Sequence, residues 1–338
     1  MPFARLVVLA ALCVSLGASA SPPASPQPRD AMDVVVSAFD RVPIVGLGLA
    51  HTVEDDEFSI ALVRDPRFAK HHPQNIVIEC GNALYQPVLD RYIAGADVPL
   101  AQLQPVWRNT TQVFGPCNDP HHKVLLDAVR QLNGRLPADQ RIRVLAADPP
   151  IDWDTVRTPA EVRAFLGRRD ENAASVIETQ VLVKHQHAVV MMGGFHLHRR
   201  HGAQVQGLNV TEMLESKHPR STFVVLSGYG ANADVDRRTT TWPVPSIAML
   251  HATWLGVMDA GAFAGDTLFA GKPVNPWPGL QLQDLGDAFL YDGPAASMHD
   301  EEGPPESDAA YMRELERRGR FSPLHGIALP APSPTTPP

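Results

Sequence analysis

Apolar positions along the chain follow two periodicities. Continuous runs rich in β-branched residues occur at 43–47, 75–78, 141–147, 187–192 and 221–226, each bounded by polar residues or glycine. Runs of this length and composition are the mark of strands buried on both faces. Between them, 55–63, 83–93, 121–132, 159–166 and 170–184 carry apolar residues at helical spacing. The alternation predicts an α/β fold, with a mainly parallel central sheet flanked by helices on both faces in three layers. No internal repeat or low-complexity linker interrupts 32–329, so this stretch is assigned to a single α/β domain.

Ligands of such sheets bind beyond the carboxyl ends of the strands. The residues there are unusually polar. The first strand runs into Gly48-Leu49-Ala50-His51 and then Glu54, Asp55 and Asp56, the second into Glu79, Gly81 and Asn82, and the third into Asp148-Pro149-Pro150-Ile151-Asp152-Trp153. The fourth ends in Gly193-Gly194-Phe195-His196-Leu197-His198 and the fifth in Ser227-Gly228-Tyr229-Gly230.

A parallel sheet brings His51, Glu79, Asp148 and His196 to one rim, where glycines leave room for a substrate. An imidazole can take a proton from water and a carboxylate can orient it, so His51, Glu79 and His196 are candidate catalytic residues for hydrolysis. The same three form a candidate metal set, because two histidines and a carboxylate leave coordination positions open. The residues alone do not choose between these chemistries. Asp148, Glu54, Asn82 and His198 are candidates for substrate binding. Arg108, within Trp107-Arg108-Asn109-Thr110-Thr111, is a candidate clamp for an oxyanion or carboxylate, while Trp107 reads as core.

His71, His72, His121 and His122 lie in hydrophilic surroundings and read as surface residues, and Asp234, Asp236, Arg237 and Arg238 as a solvated loop. Several chemistries find no motif. The chain lacks a Gly-x-Ser-x-Gly elbow and a P-loop, and Gly46-Leu47-Gly48 lacks the third glycine of a dinucleotide fingerprint.

At the chain's start, Arg5, the apolar stretch 6–16 and Ala18-Ser19-Ala20 form a secretory signal, predicted to be cut after Ala20. A Pro/Ser-rich spacer, 21–31, is expected to be disordered, as is the Pro-rich tail 330–338, and 300–307 reads as an acidic loop. Export to a secreted or periplasmic location argues against cytosolic nucleotide cofactors. After cleavage two cysteines remain, Cys80 and Cys117, which either pair or stay buried as free thiols. A formal net charge of −8 without a basic stripe disfavours nucleic acid as a partner, and no later window suits stable membrane insertion. A small molecule or peptide fits better.

Gly48-Leu49-Ala50-His51 and Gly193-Gly194-Phe195-His196, bracketing Ile76-Val77-Ile78-Glu79, resemble the superfamily of erythromycin esterases, Tiki-type proteases and ChaN-like haem-binding uptake proteins. The resemblance spans 43–230 and is closest to exported bacterial members. It implies a site without fixing one activity: metal-free lactone opening, metal-dependent peptide cleavage or haem binding. The cofactor is accordingly none, a divalent metal or haem. The resemblance also implies a glutamate where Leu49 stands, with Glu54 or Asp55 as the acidic residues available one turn on.

The leading expectation is an exported hydrolase acting on an ester, lactone or amide, with His51 as base, Glu79 orienting water, and His196 and Arg108 stabilising the oxyanion. The alternative is non-catalytic binding of haem or another small ligand, with Tyr85, Tyr92, Tyr229 and the histidines available to iron. A third reading is an interaction protein whose cleft is vestigial.

Overall fold

Side chains of alternating parity leave the central strands on opposite faces and build separate cores. The computed structural model describes residues 22–71, 73–113, 115–200, 207–228, 233–264, 268–269, 272–273, 277–300 and 308–322. Residues 1–20, read as a signal sequence, the Pro-rich tail, His72, Tyr229 and 301–307 of the acidic stretch lie outside the described residues.

The main sheet has eight strands. These are β1 (Arg29–Asp30), β2 (Ile44–Leu49), β3 (Asn75–Asn82), β4 (Arg143–Asp148), β5 (Ala188–Gly193), β6 (Thr222–Ser227), β7 (Ser246–Met249) and β8 (Ala288–Tyr291). Their order is β1-β7-β8-β6-β2-β5-β3-β4. From β8 to β4 all neighbours are parallel, while β7 runs antiparallel to both β1 and β8. Four of the five expected strands match to within two residues, and the fifth, β3, runs on four residues further to Asn82.

Val45, Leu47, Ile76, Ile78, Val189 and Met191 pack on one face with the helices Ala31–Ala38, Val53–Arg64 and His121–Asn133. On the other face Ile44, Val77, Val190, Met192 and Val224 meet Arg169–Ile177 and Val210–Lys217. That is the three-layer arrangement expected from the period-two alternation of strand side chains. A smaller cluster around Trp153, Ile151 and Val113 anchors the late helix Ala309–Gly319 through Tyr311 and Leu315.

Several segments depart from expectation. The start of the Pro/Ser-rich stretch is held against the sheet, because Ala24 exchanges backbone hydrogen bonds with Ala252 and Trp254 and β1 pairs with β7. Pairing satisfies backbone groups that a free spacer would leave to water. Residues 233–239, read as a loop, form a helix whose Asp234 bonds to Arg237 and Arg238 three and four positions on. Cys80 and Cys117 are joined by a disulfide that ties β3 to the segment leading into His121–Asn133. No described helix is long and apolar enough to cross a membrane.

Candidate functional site

Register places the site. Leu49 pairs with Gly193 across β2 and β5, and Ile78 pairs with Met191 across β3 and β5, so the three strands end together. His51 follows β2 in a left-handed backbone conformation, φ +66°, rare for a residue with a side chain. Asp55 holds that conformation: one of its carboxylate oxygens accepts the N–H of Ala50 at 2.7 Å and of Thr52 at 3.3 Å. Thr52 in turn caps the helix Val53–Arg64 in a reciprocal capping box with Asp55.

The turn aims the imidazole at Glu79, with His51 Nε2 3.6 Å from Oε2. Gly193 makes the approach possible, since a Cβ there would lie 2.7 Å from His51 Nε2 and 3.3 Å from Glu79 Oε2. Its N–H donates to Oε2 at 2.5 Å. Oε1 accepts from Gln112 at 2.5 Å and from Arg169, and His196 Nε2 lies 3.5 Å away. The other nitrogen of His196 is bonded to Asp170.

These contacts set the charges. Burial would raise the Glu79 carboxyl, but the charge and hydrogen bond of His196, then the charges of His51 and Arg169, hold it well below the usual carboxylate range. Burial works against the charge on His196 too, yet Glu79 and the bond to Asp170 lift it to about 9. The floor thus carries a buried carboxylate between an imidazolium and a guanidinium.

A cavity of about 820 Å³ opens above this floor, a size suited to a small organic ligand. His51, Glu79, Gln112, Arg169 and His196 line one part of it, and His198, Phe195, Phe263, Trp277 and Leu285 another. His198 is buried, and burial followed by the charge of His196 lowers it to about 3, so it is neutral. One residue, Leu197, therefore separates a charged imidazole from an uncharged one at the end of the turn Gly194–Leu197.

Four of the candidates, His51, Glu79, His196 and His198, meet in this cavity. Asp148 sits beneath it: its oxygens accept the N–H and hydroxyl of Thr111 at 2.7 and 2.6 Å, and Arg169 Nε lies 3.4 Å away. Burial raises Asp148 to about 6 against the opposing pull of Arg169 and Thr111. It positions Arg169 rather than facing the cavity.

Three candidates are elsewhere. Arg108 donates to Asp308 at 2.6 Å and stacks over Tyr311 at 4.4 Å, so it fastens the late helix and not a substrate. Glu54 accepts the backbone N–H and the imidazole of His299 at 3.0 and 2.7 Å on the far side of the turn. Asn82, wholly buried, donates to the carbonyls of Asn109 and Ile151 at 2.6 and 2.8 Å and braces two loops. The cation in the site is Arg169, which sequence reasoning passed over.

His121 and His122 are not free surface residues either. His122 donates to the Pro116 carbonyl at 2.9 Å and borders a small pocket under His51 and Glu79. His121 bonds to Asp119 at 2.7 Å and, with Asp56, forms the one cluster of three metal-type ligands among the described residues. The candidate metal set His51, Glu79 and His196 does not converge: the histidines meet different oxygens of Glu79, and Arg169 covers one of them. A guanidinium against the bridging carboxylate repels a divalent cation, so these residues do not fit one. For haem, Tyr85 accepts from Asn109 and Tyr92 is engaged with Asp127 and Lys123, both away from the cavity lining.

In overall fold the chain is similar to the crystal structure of a succinoglycan biosynthesis protein, with a TM-score of 0.52, 10% sequence identity, and coverage of 80% of this chain and 94% of that one. It is also similar to a protein from Bacillus cereus, with a TM-score of 0.49, 11% identity, and coverage of 82% and 96%. At such identity the likeness to the succinoglycan biosynthesis protein shows the fold alone. No protein-family model and no curated protein matches the chain.

Proposed function

We propose that this chain is an exported hydrolase that opens an ester, lactone or amide by metal-free acid–base catalysis, as an erythromycin-esterase-like member of the superfamily its Gly-x-x-His turns resemble. The observation that carries the reading is the buried Glu79 carboxylate held between His51 and His196 at the floor of a large cavity. His51 takes a proton from water as the resulting hydroxide adds to the carbonyl carbon. The imidazolium of His196 and the guanidinium of Arg169 stabilise the oxyanion. As the bond to the leaving oxygen or nitrogen breaks, His51 returns the proton to it. Glu79, with both oxygens engaged, fixes the charges of its neighbours instead of orienting water.

Haem binding has less support, because neither Tyr85 nor Tyr92, the two described candidate tyrosines, lines the cavity. Export is supported by the Cys80–Cys117 disulfide, a bond typical of oxidising compartments. The test is an ester, lactone and amide panel on the mature protein before and after chelation. Turnover should survive chelation and fall about 10²–10⁴-fold in His51→Ala at an unchanged unfolding midpoint. Full activity in His51→Ala, or loss on chelation with recovery on adding metal, would overturn the reading.

A further inference from the structure

The apolar part of the cavity has an order that filling space does not require. Phe195 is 55% exposed, although it sits on the same short turn as His196. Its ring is braced from behind by two buried rings: Trp277 stacks on it at 5.2 Å and 23°, and His198 lies against both, 5.7 Å from Phe195 and 5.1 Å from Trp277. Phe263, Leu282 and Leu285 continue the wall. A phenyl ring left open to solvent contributes little to folding. Bracing by two further rings holds it in one orientation, which is what recognition of another flat ring demands.

Resting on the hydrolase reading, we propose that this wall is an aryl subsite and that the substrates carry an aromatic ring. Phe195, His196 and Arg169 line one cavity, so a ring stacked on Phe195 shares that space with the charged groups that would meet its carbonyl. An uncharged His198 keeps this end of the cavity free of a second cation, so it accepts the apolar ring while the carbonyl takes the charged end.

The test compares methyl benzoate with methyl cyclohexanecarboxylate, esters of similar bulk that differ in aromaticity. In Phe195→Leu, which keeps apolar bulk on an exposed position, the ratio of their kcat/KM values should fall about ten-fold, chiefly through KM for the benzoate. An unchanged ratio in an active Phe195→Leu enzyme removes the subsite while leaving the hydrolase reading intact. Calorimetric binding of 2-naphthoate supplies a readout without turnover. Binding that weakens about ten-fold in Phe195→Leu and in Trp277→Leu, in a protein that cleaves nothing, supports the subsite and removes the hydrolase. Absence of any 2-naphthoate binding to the folded wild type overturns the subsite outright.

Discussion

Replacing Asp170 with asparagine isolates the step on which the proposed chemistry depends, the positive charge on His196 at neutral pH. Burial opposes that charge, and the charge of Glu79, the bond to Asp170 and the bond to Glu79 together lift the group from 6.5 to about 9. A carboxylate at contact distance moves a histidine by about 1–3 pKa units. Asparagine keeps the shape and a hydrogen-bonding oxygen but loses the charge, so His196 should fall to about 6–8. The alkaline limb of kcat/KM should move down with it, and a histidine NMR titration should report the same displacement. Linkage gives a second check. Since the folded-state value lies above the unfolded one, the stabilisation is fully present below pH 6.5 and disappears as pH rises through about 9. His196 is only 18% exposed, so little of this is lost to solvent screening. The variant should be less stable by about 1.4–4 kcal/mol at pH 6 in urea unfolding, with the gap closing towards pH 10. An alkaline limb and NMR resonance that stay where they were would refute the assignment of His196 as the charged partner.

Gly193→Ala puts a methyl group 2.7 Å from His51 Nε2, so kcat/KM should drop about 10²-fold while far-UV circular dichroism is retained, and normal turnover would count against the site. Arg108→Leu should lower the urea midpoint, costing about 1–3 kcal/mol through the lost bond to Asp308, and leave kcat/KM unaltered; a large kinetic defect would return Arg108 to the site. Reducing Cys80–Cys117, which closes 37 residues, should cost about 4 kcal/mol, read as a lower melting temperature with reductant; an unshifted melt would contradict the bond. Burial first, then the charges of Asp55 and Glu54, raises Asp292 to about 8, so its contribution is present below 3.8 and lost as pH rises through 8. Asp292→Asn should therefore gain about 2–5 kcal/mol on the wild type by pH 9, and equal stability there would argue that the carboxyl is not buried in this way.

The sheet's parallel half was legible because buried parallel strands write themselves as continuous apolar runs, and the polar residues after them mark the rim. That logic found His51, Glu79 and His196. It could not find β7 or β8, whose four-residue runs, Ser246–Met249 and Ala288–Tyr291, are too short to stand out and pair antiparallel with partners far away in sequence. Arg108 stood out in the sequence and Arg169 did not for a related reason. Trp107 and the following hydroxyl residues made Arg108 look distinctive, whereas Arg168-Arg169-Asp170-Glu171 reads as the solvated start of a helix. Only packing of that helix against β4 brings Arg169 over Asp148 and Glu79 and Asp170 to His196. The aromatic wall shares this fate, because Phe263 and Trp277 come from connections between strands that carry no periodicity.

The departure at Leu49 takes on a different meaning once the turn is seen in three dimensions. A glutamate there would stand two residues before His51; leucine at 49 leaves the histidine without a carboxylate on that side of the turn. The fold supplies two. Asp55 acts on the backbone, taking the amides on either side of His51 and so holding a left-handed conformation that an unsupported histidine resists. Glu79 acts on the imidazole from across the sheet, through a gap that only the glycine at 193 leaves open. One carboxylate sets where His51 points and the other sets the field it points into. Position 49 can then be apolar without unmaking the site, and Asp55→Asn should disturb the turn's geometry far more than Glu54→Gln, which would release only His299.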